Sequence, residues 1–183
     1  MIVGEQGLDG AALRMLLDRQ AILDCVVAYC RGVDRMDLDI LKRAYHPDAT
    51  ENHNGTVVGT FDDLVDWIWG PYQENLVMSH HVVQNHWCEL DGDVAHTETY
   101  CTYTEIRSVA PFSRQIGGRY IDRFERRDGR WAIAARVLVQ DWIVNAPGEA
   151  ATFYAPNPAK PLQIPPSRNR QDVSYRRPLT IDG

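Results

Sequence analysis

A chain of 183 residues, 44% of them apolar, is long enough for one domain with a real core and too short for two. Its 19 Lys and Arg against 25 Asp and Glu leave a net charge of −6, with the acids scattered in no block, which argues against nucleic acid or an anionic membrane as a partner. No apolar run approaches the roughly 18 residues of a membrane span, and Met1–Gly10 lacks a basic segment followed by a hydrophobic one, so the expectation is a soluble, unexported, cytoplasmic protein.

From about Gly10 to Asp34, apolar residues recur at helical spacing: Leu13, Leu16, Leu17, Ile22, Val26, Tyr29 and Val33. Asp37 is placed to cap a short second helix through Leu41 and Tyr45, ended by His46-Pro47 because a residue before proline is pushed out of the helical region. Asn54-Gly55 predicts a tight turn in a short hairpin over Ala49–Thr56. Thr60 with Asp63 resembles a capping box for a third helix bearing Leu64, Trp67, Ile68 and Trp69.

After Pro71 the period becomes strand-like. Val77–Glu89, Val94–Val109, Gln115–Arg126 and Arg130–Val144 read as a meander, with turns at Asp91-Gly92-Asp93 and Arg127-Asp128-Gly129. Gly117-Gly118 is a predicted bulge or kink. Helices first and strands after is an α+β pattern, an antiparallel sheet covered on one face. From about Ala146 the composition turns Pro-rich (Pro147, Pro156, Pro158, Pro161, Pro165 and Pro166), which predicts a domain over 1–145 and an extended tail over 146–183 that drapes over a neighbour or covers a pocket.

The chemistry-bearing residues are few. Cys25, Cys30, Cys88 and Cys101 form no CxxC and read as buried thiols, while His46, His53, His86 and His96 form no HxH or HExxH, so neither a metal nor another cofactor is expected. There is no GxSxG elbow and no phosphate-cradling glycine loop. What remains is Asp34 at the end of the first helix and the adjacent His80 and His81 opening a strand, since a carboxylate that orients an imidazole suffices to take a proton from carbon. On a straight helix Asp34 lies about 120° from the Ile22–Val26 stripe, so it reaches an interior only where the helix ends or turns. Strand alternation puts Ser79, His81, Val83, Asn85 and Trp87 on one face and His80, Val82, Gln84, His86 and Cys88 on the other, and neither face is clean enough to choose a histidine. Arg136 sits in an otherwise apolar strand, where a charge needs either a salt-bridge partner or a ligand.

Tyr29-Cys-Arg-Gly-Val-Asp34, Tyr45-His-Pro-Asp-Ala49, Ser79-His-His-Val-Val-Gln-Asn85, Asp91-Gly-Asp-Val-Ala95 and Gly118–Trp131, in this order over roughly residues 10–145, resemble the SnoaL-like branch of the nuclear transport factor 2-like superfamily. The resemblance implies a cone-shaped α+β barrel, with a strongly curved mixed, mainly antiparallel sheet wrapped around the N-terminal helices and an apolar cavity inside. It also implies an Asp–His pair that drives elimination, as in scytalone dehydratase, bile acid 7α-dehydratase and hexachlorocyclohexane dehydrochlorinase. The dehydrochlorinase's spacing from His to Asn, matched by His81 and Asn85, favours His81 over His80, and the bile acid dehydratase's Tyr five residues before its Asp, matched by Tyr29, implies Tyr29 as a helper that protonates a leaving oxygen or holds a carbonyl.

The expected catalytic set is therefore Asp34, His81 and Tyr29, with His80, Arg136, Tyr100, Trp67 and Asn85 as substrate contacts. Tyr103, Tyr120 and Trp142 are further candidates for the wall. The expected activity is that of a cofactor-independent lyase acting on a small hydrophobic cyclic molecule such as a steroid, a polyketide or an aromatic-degradation intermediate. An isomerase or cyclase using the same pair is an alternative, as is a non-catalytic small-subunit or binding module. Relatives imply a homo-oligomer, a trimer or else a dimer.

Overall fold

The first helix begins where Asp9 accepts a hydrogen bond from the Ala11 N–H at 3.1 Å, and α1 runs over Gly10–Asp34. The structure, a computed structural model, describes residues 9–146, 164 and 166–179. Ile22, Cys25, Val26, Tyr29, Cys30 and Val33 form the buried stripe of α1, whereas Leu13, Leu16 and Leu17 in its first turns are exposed, although their spacing continues the pattern. Arg35 and Met36 then turn the chain, Met36 with φ 51°, and Asp37 caps α2 (Leu38–Ala44) through the Ile40 N–H. The two helices approach so closely that a Cβ on Gly32 would lie 2.8 Å from Leu41 backbone atoms.

Tyr45 is already extended, so β1 is Tyr45–His53 and the second helix is one residue shorter than the sequence suggests. Pro47 sits within β1, and the register with its neighbour slips between Tyr45 and Thr50, which accommodates the missing N–H. Asn54 and Gly55 both take positive φ, closing a tight turn into β2 (Val58–Thr60). Thr60 makes the predicted capping box with Asp63 and starts α3 (Phe61–Trp69), which buries Phe61, Leu64 and Ile68.

A short 3-10 turn over Pro71–Gln73 leads into the meander β3 (Leu76–Asp91), β4 (Val94–Arg107), β5 (Ser113–Arg127) and β6 (Arg130–Ala146). The six strands lie in the order β2-β1-β6-β5-β4-β3; β1 runs parallel to β6 and every other pair is antiparallel. The sheet is mixed, curved and open, and the helices pack on its inner face as an α+β cone. Curvature is concentrated where register slips, between Gly117 and Gly118, between Arg123 and Phe124, and between Val83 and His86. At the first of these the Trp142 indole occupies the space a Gly117 side chain would need. The core joins α1, α2 and α3 to β5 and β6 through Ile22, Val26, Leu41, Leu64, Phe124 and Ile133.

Most of the Pro-rich segment lies outside the described residues. The part over 166–179 folds back on its own chain at the end of α1. Arg168 donates to the Val33 and Asp34 carbonyls and to Gln73, Arg170 bridges Asp37 and Asp39, and the Tyr175 hydroxyl donates to Asp37 at 2.9 Å.

Candidate active site

Asp34 is the last residue of α1, and its carboxylate meets β3 side on. Oδ1 receives the Ser79 hydroxyl at 2.9 Å and lies 2.8 Å from His81 Nδ1, while Oδ2 accepts the His81 backbone N–H at 2.9 Å. The helix need not turn inward to bring Asp34 into play, because the strand comes to the helix edge. Burial pushes the Asp34 carboxyl toward neutrality, but the His81 ring and its charge, the His81 N–H and the Ser79 hydroxyl outweigh it and hold its pKa below the ordinary value of 3.8. The carboxylate is therefore ionised at neutral pH and stands as the acceptor for Nδ1–H, an arrangement that puts the lone pair of an imidazole on Nε2. Nε2 has no hydrogen-bond partner among the described residues.

His81 lines a cavity of about 180 Å³ enclosed by α1, α3 and the inner face of the sheet. Tyr29, Trp67, Ile68, Tyr72, Tyr103, Tyr120 and Leu138 supply most of its wall, and Gln140, His53, Glu105 and Arg114 add polar groups. The Tyr103 ring lies 4.7 Å from the His81 ring, centroid to centroid, and Tyr29 meets His81 edge-on at 5.9 Å. Burial raises the phenols of Tyr29, Tyr72 and Tyr103 above their ordinary value, so all three are protonated donors at neutral pH. Two of them are committed: Tyr103 donates to Glu105 at 3.1 Å, and the Tyr72 hydroxyl is 2.5 Å from that of Tyr103. Glu105 is in turn paired with Arg114. Among the described residues no group of three or more His, Cys, Asp or Glu is arranged to hold a metal, and the four cysteines are buried and unpaired.

His81, Tyr29 and Trp67 thus line one cavity, and Asp34 stands behind it, in contact with His81. The other predicted contacts do not. His80 is exposed on the outer face, where alternation puts the neighbour of an inward residue. Asn85 is exposed too, because the register slip between Val83 and His86 turns His86 and Cys88 inward in place of Asn85 and Trp87. Tyr100 is 43% exposed on the outer face, beside Arg119. Arg136 is fully buried and is not part of the cavity wall; it forms a two-pronged pair with Asp122 at 2.7 Å for each bond. The faces of Tyr120, Tyr29 and Tyr45 surround its guanidinium at 4.1, 4.5 and 5.7 Å. Burial would strip its proton, but Asp122 and the surrounding groups hold its pKa above the ordinary value. Of the further wall candidates, Tyr103 and Tyr120 line the cavity, and Trp142 is half-exposed over Gly117.

Sequence reading passed over Ser79, Tyr72 and Glu105. Ser79 stands two residues before His81 and so shares its face, a signal the alternation already contained. Tyr72 comes from the 3-10 turn and Glu105 from β4, and neither had a pattern that tied it to Asp34.

Known structures share this architecture. Hexachlorocyclohexane dehydrochlorinase LinA-type3 from Novosphingobium barchaimii LL02 superposes with a TM-score of 0.71 at 21% identity, covering 79% of this chain and 99% of that one. A putative scytalone dehydratase from Novosphingobium aromaticivorans DSM 12444 superposes with a TM-score of 0.63 at 16% identity, covering 77% and 97%. At these identities the likeness is one of fold. No curated protein matches by sequence. The family model for the SnoaL-like domain matches residues 14–137, which takes in Asp34, His81 and all of the cavity wall except Leu138 and Gln140 of β6, and the chain belongs to that family.

Proposed function

We propose that the protein is a cofactor-independent lyase that removes water or HX from a small hydrophobic cyclic substrate. The observation that carries this reading is the Asp34–His81 contact at 2.8 Å, with the remaining ring nitrogen free beside the cavity. His81 Nε2 takes the proton next to the leaving group, and Asp34 fixes the tautomer and stabilises the imidazolium that forms. The Tyr29 ring meets His81 edge-on at 5.9 Å, and its hydroxyl serves a substrate oxygen. Names borne by structural relatives, dehydrochlorinase and scytalone dehydratase, denote eliminations and support this reaction class. A cavity of about 180 Å³ is below the roughly 300–1,000 Å³ of pockets that hold drug-sized ligands, so a substrate of one or two rings fits better than a steroid nucleus.

The same proton abstraction would serve an isomerase or a cyclase, and product analysis separates these outcomes. Assembly is part of the proposal: Val82, Trp87, Tyr100, Ile121 and Val137 leave an exposed apolar strip across the outer face of the sheet, suited to a homo-oligomer. Light scattering on the purified chain reads its order. The decisive experiment is His81→Ala and Asp34→Asn, singly and together, assayed against a panel of cyclic β-hydroxy and β-halo ketones. Each single variant is expected to lose about 10²–10⁴-fold in kcat/KM with an unchanged circular dichroism spectrum. A fully active double variant would overturn the proposal, and co-purification of a catalytic partner subunit would favour a binding module.

A further inference from the structure

A second carboxylate–imidazole pair stands at the cavity, with its histidine in the wall and its carboxylate behind. Glu51 and His53 are two residues apart on β1 and so share its inner face. Glu51 is 3% exposed; its Oε2 accepts the Tyr45 hydroxyl at 3.0 Å, and its Oε1 lies 2.9 Å from His53 Nδ1. The His53 ring rests against Trp67 at 5.3 Å and lines the same cavity as His81. Because β6, β5 and β4 separate β1 from β3 in a curved sheet, the two histidines stand on different walls of the space. With Nδ1 turned to Glu51, His53 Nε2 is left without a partner among the described residues.

Elimination of water needs two proton transfers, because hydroxide leaves poorly unless it is protonated as the carbon–oxygen bond breaks. His81 supplies the base. Tyr103 and Tyr72 are spent on Glu105 and on each other. The Tyr29 phenol, raised by burial, is a weaker acid than an imidazolium.

We propose that His53, oriented by Glu51, is the acid that protonates the leaving oxygen, which frees Tyr29 to hold the substrate carbonyl. The assignment rests on the lyase reading above. In the step, His81 Nε2 takes the proton α to the carbonyl and the C–H electron pair becomes the carbon–carbon double bond. The β carbon–oxygen bond breaks toward oxygen, which takes the proton from His53 Nε2 and departs as water. His53 ends neutral and His81 protonated, and exchange with solvent resets both.

Leaving-group dependence tests this on the full chain. Two probes, 3-hydroxycyclohexanone and 3-chlorocyclohexanone, give the same enone, but only the first needs an acid. His53→Gln is expected to lower kcat about 100-fold or more with the hydroxy ketone and less than about 5-fold with the chloro ketone, whereas His81→Ala loses both. Glu51→Gln, which keeps an acceptor for His53 but removes the charge behind it, repeats the selectivity with a smaller loss and guards against misfolding of the first variant. Equal loss on both ketones, or loss on neither, overturns the role of His53 and leaves the lyase reading standing. No acceleration of either ketone by the wild-type chain, or full activity of His81→Ala, removes the lyase reading and the acid with it.

Discussion

Two pairs of hydrogen-bonded side chains sit within one shell of aromatic rings and have opposite characters. Arg136 and Asp122 are each closed off, joined by two short hydrogen bonds and roofed by the rings of Tyr29, Tyr45 and Tyr120. Asp34 and His81 are joined as tightly, but their side chains stay 13% and 6% exposed, and the histidine retains a ring nitrogen beside an open cavity. Both pairs leave a nitrogen without a partner among the described residues, Arg136 Nη1 and His81 Nε2, and what separates them is access: Arg136 is sealed in the core, whereas His81 lines the cavity. Arg136 spends its charge on the fold, and Tyr29 touches both pairs, so the rigidity of the first orients the wall of the second.

The comparison breaks most visibly if the closed pair is opened. Arg136→Met strands Asp122 in the core and is expected to cost about 3–5 kcal/mol in urea unfolding, while Arg136→Met with Asp122→Leu recovers most of it. A stable Arg136→Met chain that had lost activity would mean that Arg136 serves the substrate after all. A middle-sized effect separates the pairs by pH. Because Asp34 titrates below its ordinary value of 3.8 in the folded chain, its stabilisation is fully present above that value and is lost as pH falls through the folded one. The gap in Tm between wild type and Asp34→Asn should therefore be widest near neutrality and narrow in acid; a gap independent of pH would mean that the carboxylate charge does not stabilise the fold. The smallest effect concerns the tail. Tyr175→Phe removes one hydrogen bond to Asp37 and is expected to cost about 0.5–1.5 kcal/mol, with kcat unchanged. A loss of substrate binding would show that the segment over 166–179 closes the site rather than bracing the end of α1.

Much of this architecture is legible in local chemistry alone. The capping box at Thr60 and the turn at Asn54-Gly55 are short-range devices that work on neighbours in sequence, and both stand where the pattern puts them. Gly117-Gly118 marks a register slip because only glycine lets Trp142 lie against the strand. The β3 contacts failed for the converse reason. Alternation fixes a face only while the register is unbroken, and the slip after Val83 is set by pairing with β4, which no local pattern in β3 records. Likewise Leu13, Leu16 and Leu17 follow the helical period yet find nothing to pack against within the described chain.

By itself the sequence determined the order of elements and the α+β class, and it narrowed the expected proton-moving pair to Asp34 with one of two adjacent histidines, because periodicity, capping and side-chain chemistry are properties of neighbouring residues. Only the tertiary structure decided that His81 rather than His80 faces Asp34, that Arg136 belongs to the core, and that Glu51 pairs with a cavity-lining His53. Those facts depend on which strand lies beside which and in what register, and register is settled by the packing of the whole sheet.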